Sequence, residues 1–347
     1  MKRNPRAWLL EAVAAAALAA AALAAPARAE AVADFYAGKT VSLIAGFPPG
    51  GGYDTYVRAL ARHFGAFIPG RPAVVPTNMP GAGSLLAANY LYGKALPDGT
   101  ALAMFASSAV MEPLLGNPAA LFDPARFGWI GSMSQDIAFC GVWQGGGAAR
   151  SFDEMLTKET IFGGGAASAI TFQHPMILKN VLGAKIRVIP GYAGTREIVL
   201  AMQRGEVNGI CGLYVSSIRS SFPDDVASGR LRLVIQMGSK VSDAFGKIPS
   251  VYDYARSDSD RAVLDVFFKQ LVLGRPLAGP PGIPPDRLKA LREALAATLL
   301  DKDFLSEADK LGLDIDPASA EEVEALLQRF AAFPPEVFRR AREAIGR

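Results

Sequence analysis

Short apolar runs of strand length recur along the chain, and several end in a glycine-rich turn that opens a segment of helical period. "VSLIAG" (41–46) runs into "FPPGGGYD" (47–54) and then into a helix on which Tyr53, Val57, Leu60, Ala61 and Phe64 share one face. "AVVPT" is followed by "SLLAANYLYGKA", and "GTALAMF" by a loop. A second series opens at "DIAFCGVW" and continues through "TIFGG", "ITFQHPMILKNVLG", "KIRVIP", "TREIVLAMQRG", "VNGICG" and "LRLVIQM". Strands alternating with helices make a mainly parallel sheet flanked by helices, and two series predict two such sheets.

Beyond the second series the chain is mostly helical: "IPPDRLKALREALAATLL", "DKDFLSEADKLG", "SAEEVEALLQRFAAF" and "PPEVFRRAREAIG". Pro284 and Pro285 sit where a helix start tolerates them. Only "FFKQLVLG" (267–274) reads as a strand here, so these closing helices are expected to pack back on the first sheet. The fold class is α/β with two lobes: 30–140 begins the first lobe, 141–240 forms the second, and 241–347 returns to the first.

The N-terminus predicts export. "MKRNPRAW" supplies Lys2, Arg3 and Arg6, an Ala-rich apolar run follows, and Ala27 and Ala29 fit cleavage after Ala29. Glu11 near the start of that run weakens the signal, and residues 12–25 fall short of the roughly 20 apolar residues a spanning helix needs. Removing residues 1–29 takes four of 36 basic and one of 33 acidic residues, leaving 32 of each. The mature chain is formally neutral, without the basic stripe of a nucleic-acid binder. Its length of about 318 residues exceeds what one hydrophobic core normally holds.

Four glycine-rich turns fall at strand ends: "PPGGGYD" (48–54), "MPGAGS" (79–84), "GGGAAS" (163–168) and "GYAGT" (191–195). In open α/β sheets ligands bind at the carboxyl ends of strands, where glycine lets the backbone approach and helix N-terminal N–H groups favour an anion. Two turns come from each lobe, which predicts a cleft with backbone donors on both sides. The residues placed at the ligand are Pro49, Gly50, Gly51, Gly52, Tyr53, Asp54, Gly81, Gly83, Ser84, Gly165, Ala166, Ser168, Tyr192 and Gly194. Asp54 reads first as a helix cap paired with Arg58 four residues on, since an acid repels an anion. Ser168 is either a cap or a ligand hydroxyl, and Tyr192 either core packing or a phenol facing the cleft.

Other chemistries lack their residues. "GGGAAS" departs from the dinucleotide fingerprint and lacks the later acid, and neither a phosphate-binding G-x-x-x-x-G-K-[ST] nor a G-x-S-x-G elbow occurs. His63 and His174 read as packing or surface residues, and no metal spacing surrounds them. No cofactor is expected, and an exported α/β enzyme using cleft carboxylates is the competing reading. Cys140 and Cys211 lie in strands expected near the crossing between lobes; export permits a bridge, and two buried thiols are the alternative.

The stretch from "VSLIAGFPPGGGYDTYVRALARHF" through "GRPAVVPTNMPGAGSLLAANYLYGKALPDGTALAM" resembles the substrate-binding proteins of tripartite tricarboxylate transporters, the Bug-type proteins. Gly51, Gly52, Asp54, Arg58, Asn78, Gly81, Ala82, Gly83, Asp98 and Gly99 carry the match, and "GPPGIP" is similar to the family's return motif. The resemblance covers nearly all of residues 35–330. It implies a type II-like, two-lobed periplasmic binding protein, monomeric and without catalysis, that closes on a small organic acid. It further implies delivery to large and small permease subunits in the membrane, with a sensing role for a signalling receptor as an alternative. "IPGYAG" and "VNGICG" depart from the family's pattern and change the second-lobe wall of the cleft.

Overall fold

The computed structural model describes residues 31–145 and 148–347, so the leader and cleavage point expected from the sequence lie outside the described residues. One sheet contains β1 (Thr40–Ala45), β2 (Ala73–Asn78), β3 (Ala101–Met104), β4 (Gly128–Ser132), β10 (Pro276–Gly279) and β11 (Ala318–Ser319). The other contains β5 (Ala138–Trp143), β6 (Thr160–Gly163), β7 (Ile186–Ile189), β8 (Gly209–Tyr214) and β9 (Leu231–Met237). Their orders are β11-β4-β10-β3-β1-β2 and β7-β6-β8-β5-β9. The chain leaves the first sheet after Ser132, enters the second at Ala138, and returns between Met237 and Pro276.

Each sheet is mixed rather than mainly parallel. β1 pairs parallel with β2 and β3, and β6 with β7 and β8, because helical crossovers return the chain to the same end. β10 and β5 pair antiparallel with both neighbours. Both are entered from a crossing between lobes, so they run away from the seam toward which their neighbours point.

The helix Gly52–Phe67 buries Tyr53, Tyr56, Val57, Leu60 and Phe64 at helical spacing, against β1 and β2. Burying one such aromatic contributes about 2 to 3 kcal/mol. The closing helices cover the same lobe, Pro285–Leu300 packing on Gly52–Phe67. The last helix, Pro335–Ala344, instead packs on Asp258–Phe268 and on Ile170–Asn180 of the second lobe. Asn180 Nδ2 donates to the Ala344 carbonyl at 2.8 Å, so the chain's end ties the lobes a third time.

Three local readings change. "GWIGS" forms the buried strand β4, which its two glycines had masked. Ser107–Met111 is a short helix where a loop was expected. "FFKQLVLG" is not a strand: Ser257 caps a helix through Asp258–Phe268, a 3-10 turn follows at Lys269–Val272, and the strand begins only at Pro276. A short apolar run buried on all sides has no periodicity to tell helix from strand.

Cys140 and Cys211 stand opposite each other on β5 and β8, with Cα atoms 4.0 Å apart, and are joined by a disulfide. Both strands belong to the second sheet, so the bridge staples one lobe and does not span the crossing.

Candidate functional site

The strands that point at the seam deliver their turns to it. In the first lobe these are residues 46–52 after β1, 79–84 after β2 and 105–108 after β3; in the second they are 164–169 after β6, 190–194 after β7 and the start of the Val215–Ser221 helix after β8. The carboxyl edges of the two sheets thus face each other, as the position of ligands in open α/β sheets requires.

Within the first turn Asp54 looks inward. Its carboxylate accepts from Gly50 N–H at 2.8 Å, Asn78 Nδ2 at 2.8 Å and Arg58 Nε at 2.9 Å. Burial opposes its ionisation, but the Arg58, Gly50 and Asn78 donors outweigh that and hold the carboxyl below its ordinary value. Asp54 therefore fixes the turn to β2 and is spent on structure. Pro49, Gly50 and Gly51 are exposed. Gly52 approaches the other lobe: a Cβ there would lie 3.3 Å from Ser217 Oγ.

The second turn is the most strained segment of the first lobe. Gly81, Ala82, Gly83 and Ser84 have φ of 146°, 48°, 64° and 71°, a left-handed run that non-glycine residues rarely enter. Ser84 Oγ accepts from Ala106 N–H at 2.8 Å and pins the turn to the end of β3. Across the seam, Ser168 Oγ donates to the Ala82 carbonyl at 2.6 Å, and a Cβ on Gly83 would fall 2.8 Å from that hydroxyl. The Ser168 hydroxyl is thus a contact between lobes rather than a helix cap.

The remaining second-lobe residues stay closer to home. Gly165 N–H donates to Thr171 Oγ1 at 3.0 Å, Ala166 is exposed, and Gly194 precedes the helix Thr195–Gln203. The half-buried Tyr192 ring lies 3.3 Å from where a Gly163 Cβ would stand and packs on the second-lobe core. His174 is a packing residue: fully buried, its ring stands edge-on to Phe268 with centroids 5.2 Å apart.

Beside the Ser168 contact the seam opens into a groove of about 580 Å³, with Leu85 and Asn117 on one wall, Ala166 and Ser168 on the other, and Arg342 and Arg347 at its end. Glu112, fully buried, accepts across the seam from Gln173 Nε2 at 2.6 Å and from Arg347 Nη1 at 2.6 Å. Deeper in the seam lie polar groups that the sequence did not single out. The hydroxyls of Ser107, Ser108 and Tyr214 are buried and make no hydrogen bond among the described residues. Tyr214, at the end of β8, faces Ser107 and Tyr53 of the first lobe without reaching bonding geometry to either. Burial pushes the Tyr214 phenol well above its ordinary pKa, so it is a neutral donor. A buried hydroxyl without a partner costs about 1 to 3 kcal/mol, and three of them lie at this seam.

No protein-family model matches the chain, and none of the curated proteins does. Among solved structures it is similar to the periplasmic binding protein BugD, at 19% identity and TM-score 0.69 over 89% of this chain and 98% of that one. It is similar to a TctC solute-binding protein from Polaromonas at 20% identity and TM-score 0.61, covering 88% and 99%. A third neighbour is MatC from Rhodopseudomonas palustris with bound malate, at 16% identity and TM-score 0.64, covering 88% and 99%. The fold is that of the two-lobed periplasmic binding proteins. The resemblance read from the sequence therefore holds at the level of fold.

In this binding-protein fold the glycine turns were legible because turn chemistry is local. Ser107, Ser108 and Tyr214 were not: a serine pair after an apolar run and a tyrosine at a strand end are unremarked until two lobes bring them together. The only available signal was their position at the carboxyl ends of β3 and β8.

Proposed function

We propose that this protein is an extracytoplasmic solute-binding protein that closes on a small organic acid and hands it to a tripartite tricarboxylate-type permease. The observation that carries the reading is the cluster of unpartnered hydroxyls of Ser107, Ser108 and Tyr214, buried where the carboxyl edges of both sheets meet. Neutral donors in a buried seam suit a carboxylate, whose oxygens accept several hydrogen bonds and strengthen each. The malate in MatC supports the carboxylate class, and the periplasmic naming of BugD supports an exported location. Among the described residues no helix is long and apolar enough to cross a membrane.

Catalysis has little support in this geometry. Both ring nitrogens of the buried His174 are unpartnered, and burial holds its pKa down to about 3, so it is no proton shuttle near neutrality. Calorimetric titration of the mature protein with succinate, malate, adipate, citrate and benzoate tests the reading. At least one acid is expected to bind and to raise the melting midpoint by mass action. Absence of binding across the set, in a folded sample, overturns it.

A further inference from the structure

A buried ion pair lies behind the seam, between residues that the sequence analysis did not single out. The side chains of Arg275 and Asp136 are 0% and 3% exposed, and Arg275 Nη1 donates to Asp136 Oδ2 and, at 2.7 Å, to the Gly274 carbonyl. The guanidinium carbon sits 4.5, 4.6 and 4.7 Å from the ring centroids of Tyr53, Tyr56 and Tyr214. Two of those rings belong to the first lobe and one to the second. A planar guanidinium stacks on aromatic faces as an ammonium does not, so this cage suits arginine.

The pair is oriented. Asp136 belongs to the hinge: its N–H donates to the Leu271 carbonyl at 2.7 Å, Ser134 Oγ donates to it at 3.0 Å, and a Cβ on Gly274 would fall 2.6 Å from its Cγ. Neighbouring bonds from Met133 N–H to the Arg275 carbonyl and from Gly274 N–H to the Ser134 carbonyl, each 3.0 Å, lace the two crossings together. Arg275 belongs to the cleft: Nη2 lies 3.7 Å from where a Gly52 Cβ would stand, beside Ser217. Arg275 Nη2 therefore underlies the glycine turn while the carboxylate is anchored at the hinge; at the Tyr214 phenol both charges act, Asp136 pushing its pKa up and Arg275 pulling it down. A buried pair of this kind is often no more stable than apolar residues of the same volume, so stability alone does not account for it.

We propose that Arg275 is the specificity-determining charge of the cleft: caged beneath Gly52, Tyr53 and Tyr214 with its counter-ion turned to the hinge, it makes the closed seam prefer an anionic ligand to a neutral one of the same shape. The inference rests on the solute-binding reading and adds the residue that sets ligand charge. A fixed dipole in a dry, low-dielectric site acts far more strongly than in water. The guanidinium also holds the three tyrosine rings, and with that of Tyr214 the phenol that faces Ser107.

The test compares each of succinate, malate and adipate with its amide analogue, by calorimetry on wild type and on Asp136→Leu/Arg275→Met. The double variant removes both charges, so none is left buried and uncompensated. The preference for acid over amide is expected to fall at least tenfold while the melting midpoint stays within a few degrees. Arg275→Lys, which keeps the charge without the planar stacking, is expected to retain the preference while weakening acid and amide alike, and it reads the charge should the double variant not fold. An unchanged preference in the double variant, or its loss in Arg275→Lys, overturns this proposal alone. A wild type that binds none of the acids overturns the solute-binding reading and this inference with it.

Discussion

The Ser168 hydroxyl donates to the Ala82 carbonyl at 2.6 Å, joining a second-lobe turn to the left-handed turn of the first. Gly83, next to that carbonyl, has φ of 64° and leaves 2.8 Å between its missing Cβ and Ser168 Oγ. The lobes close as tightly as they do because this residue has no side chain.

Gly83→Val is therefore expected to hold the lobes apart and to weaken ligand binding by tenfold or more, with a larger radius of gyration by small-angle scattering in the presence of ligand. Gly51→Ala is the contrast. Its added Cβ would meet only the Pro48 carbonyl, at 3.6 Å, and its φ of −88° suits any residue. Affinity within about twofold of wild type is expected there. Ser168→Ala, which removes one hydrogen bond between lobes, falls between them at about 1 kcal/mol. Equal affinity in Gly83→Val and wild type would show that closure does not pass through this contact.

Ser107→Ala and Ser108→Ala separate binding from folding. Each hydroxyl is buried without a partner among the described residues, so its removal is expected to leave the empty protein equally stable or more stable. Binding of the acid is expected to lose about 1 to 2 kcal/mol for each hydroxyl that contacts it. Denaturant melts and calorimetry on the same samples decide the matter, and a variant that loses stability while keeping affinity returns the serine to structure.

His174 makes stability depend on pH with a definite sign. Burial lowers its pKa to about 3 from 6.5, so the folded state holds it neutral while the unfolded chain takes up a proton below 6.5. Its contribution is present above pH 6.5 and is lost as pH falls toward 3. Between pH 7.5 and pH 5 the loss amounts to at most about 2 kcal/mol. Urea melts of His174→Leu should show a correspondingly flatter acid limb than wild type; parallel limbs would mean that the imidazole is not held neutral.

The bridge between Cys140 and Cys211 closes a loop with a sequence separation of 71. The chain-entropy model gives about 4 kcal/mol for such a loop, an amount that replacements often fail to reach. Cys140→Ala/Cys211→Ala is expected to lower the stability of the second lobe by about 2 to 4 kcal/mol. Ligand affinity is expected to stay within about threefold of wild type, since both strands lie in one sheet. Non-reducing peptide mass spectrometry of exported protein checks the premise, and two free thiols would contradict it.

What the sequence determined by itself was local. Alternating strand and helix periods placed β1, β2, β3 and β5 to β9 and most of the helices between and after them, because periodicity records which face of a segment is buried. Turn chemistry placed the glycines at strand ends, and the four-residue spacing of Asp54 and Arg58 gave their ion pair. Where that signal was missing, as in "GWIGS" and "FFKQLVLG", the reading failed. The seam was decided only by tertiary structure. Ser107 meets Tyr214, Glu112 meets Gln173, and Asp136 meets Arg275 across 139 residues of chain, after two crossings and two independently built sheets. A hydroxyl or a charge carries no mark of its partner at that separation. Its surroundings are set by the packing of the lobes, and not by the residues on either side of it.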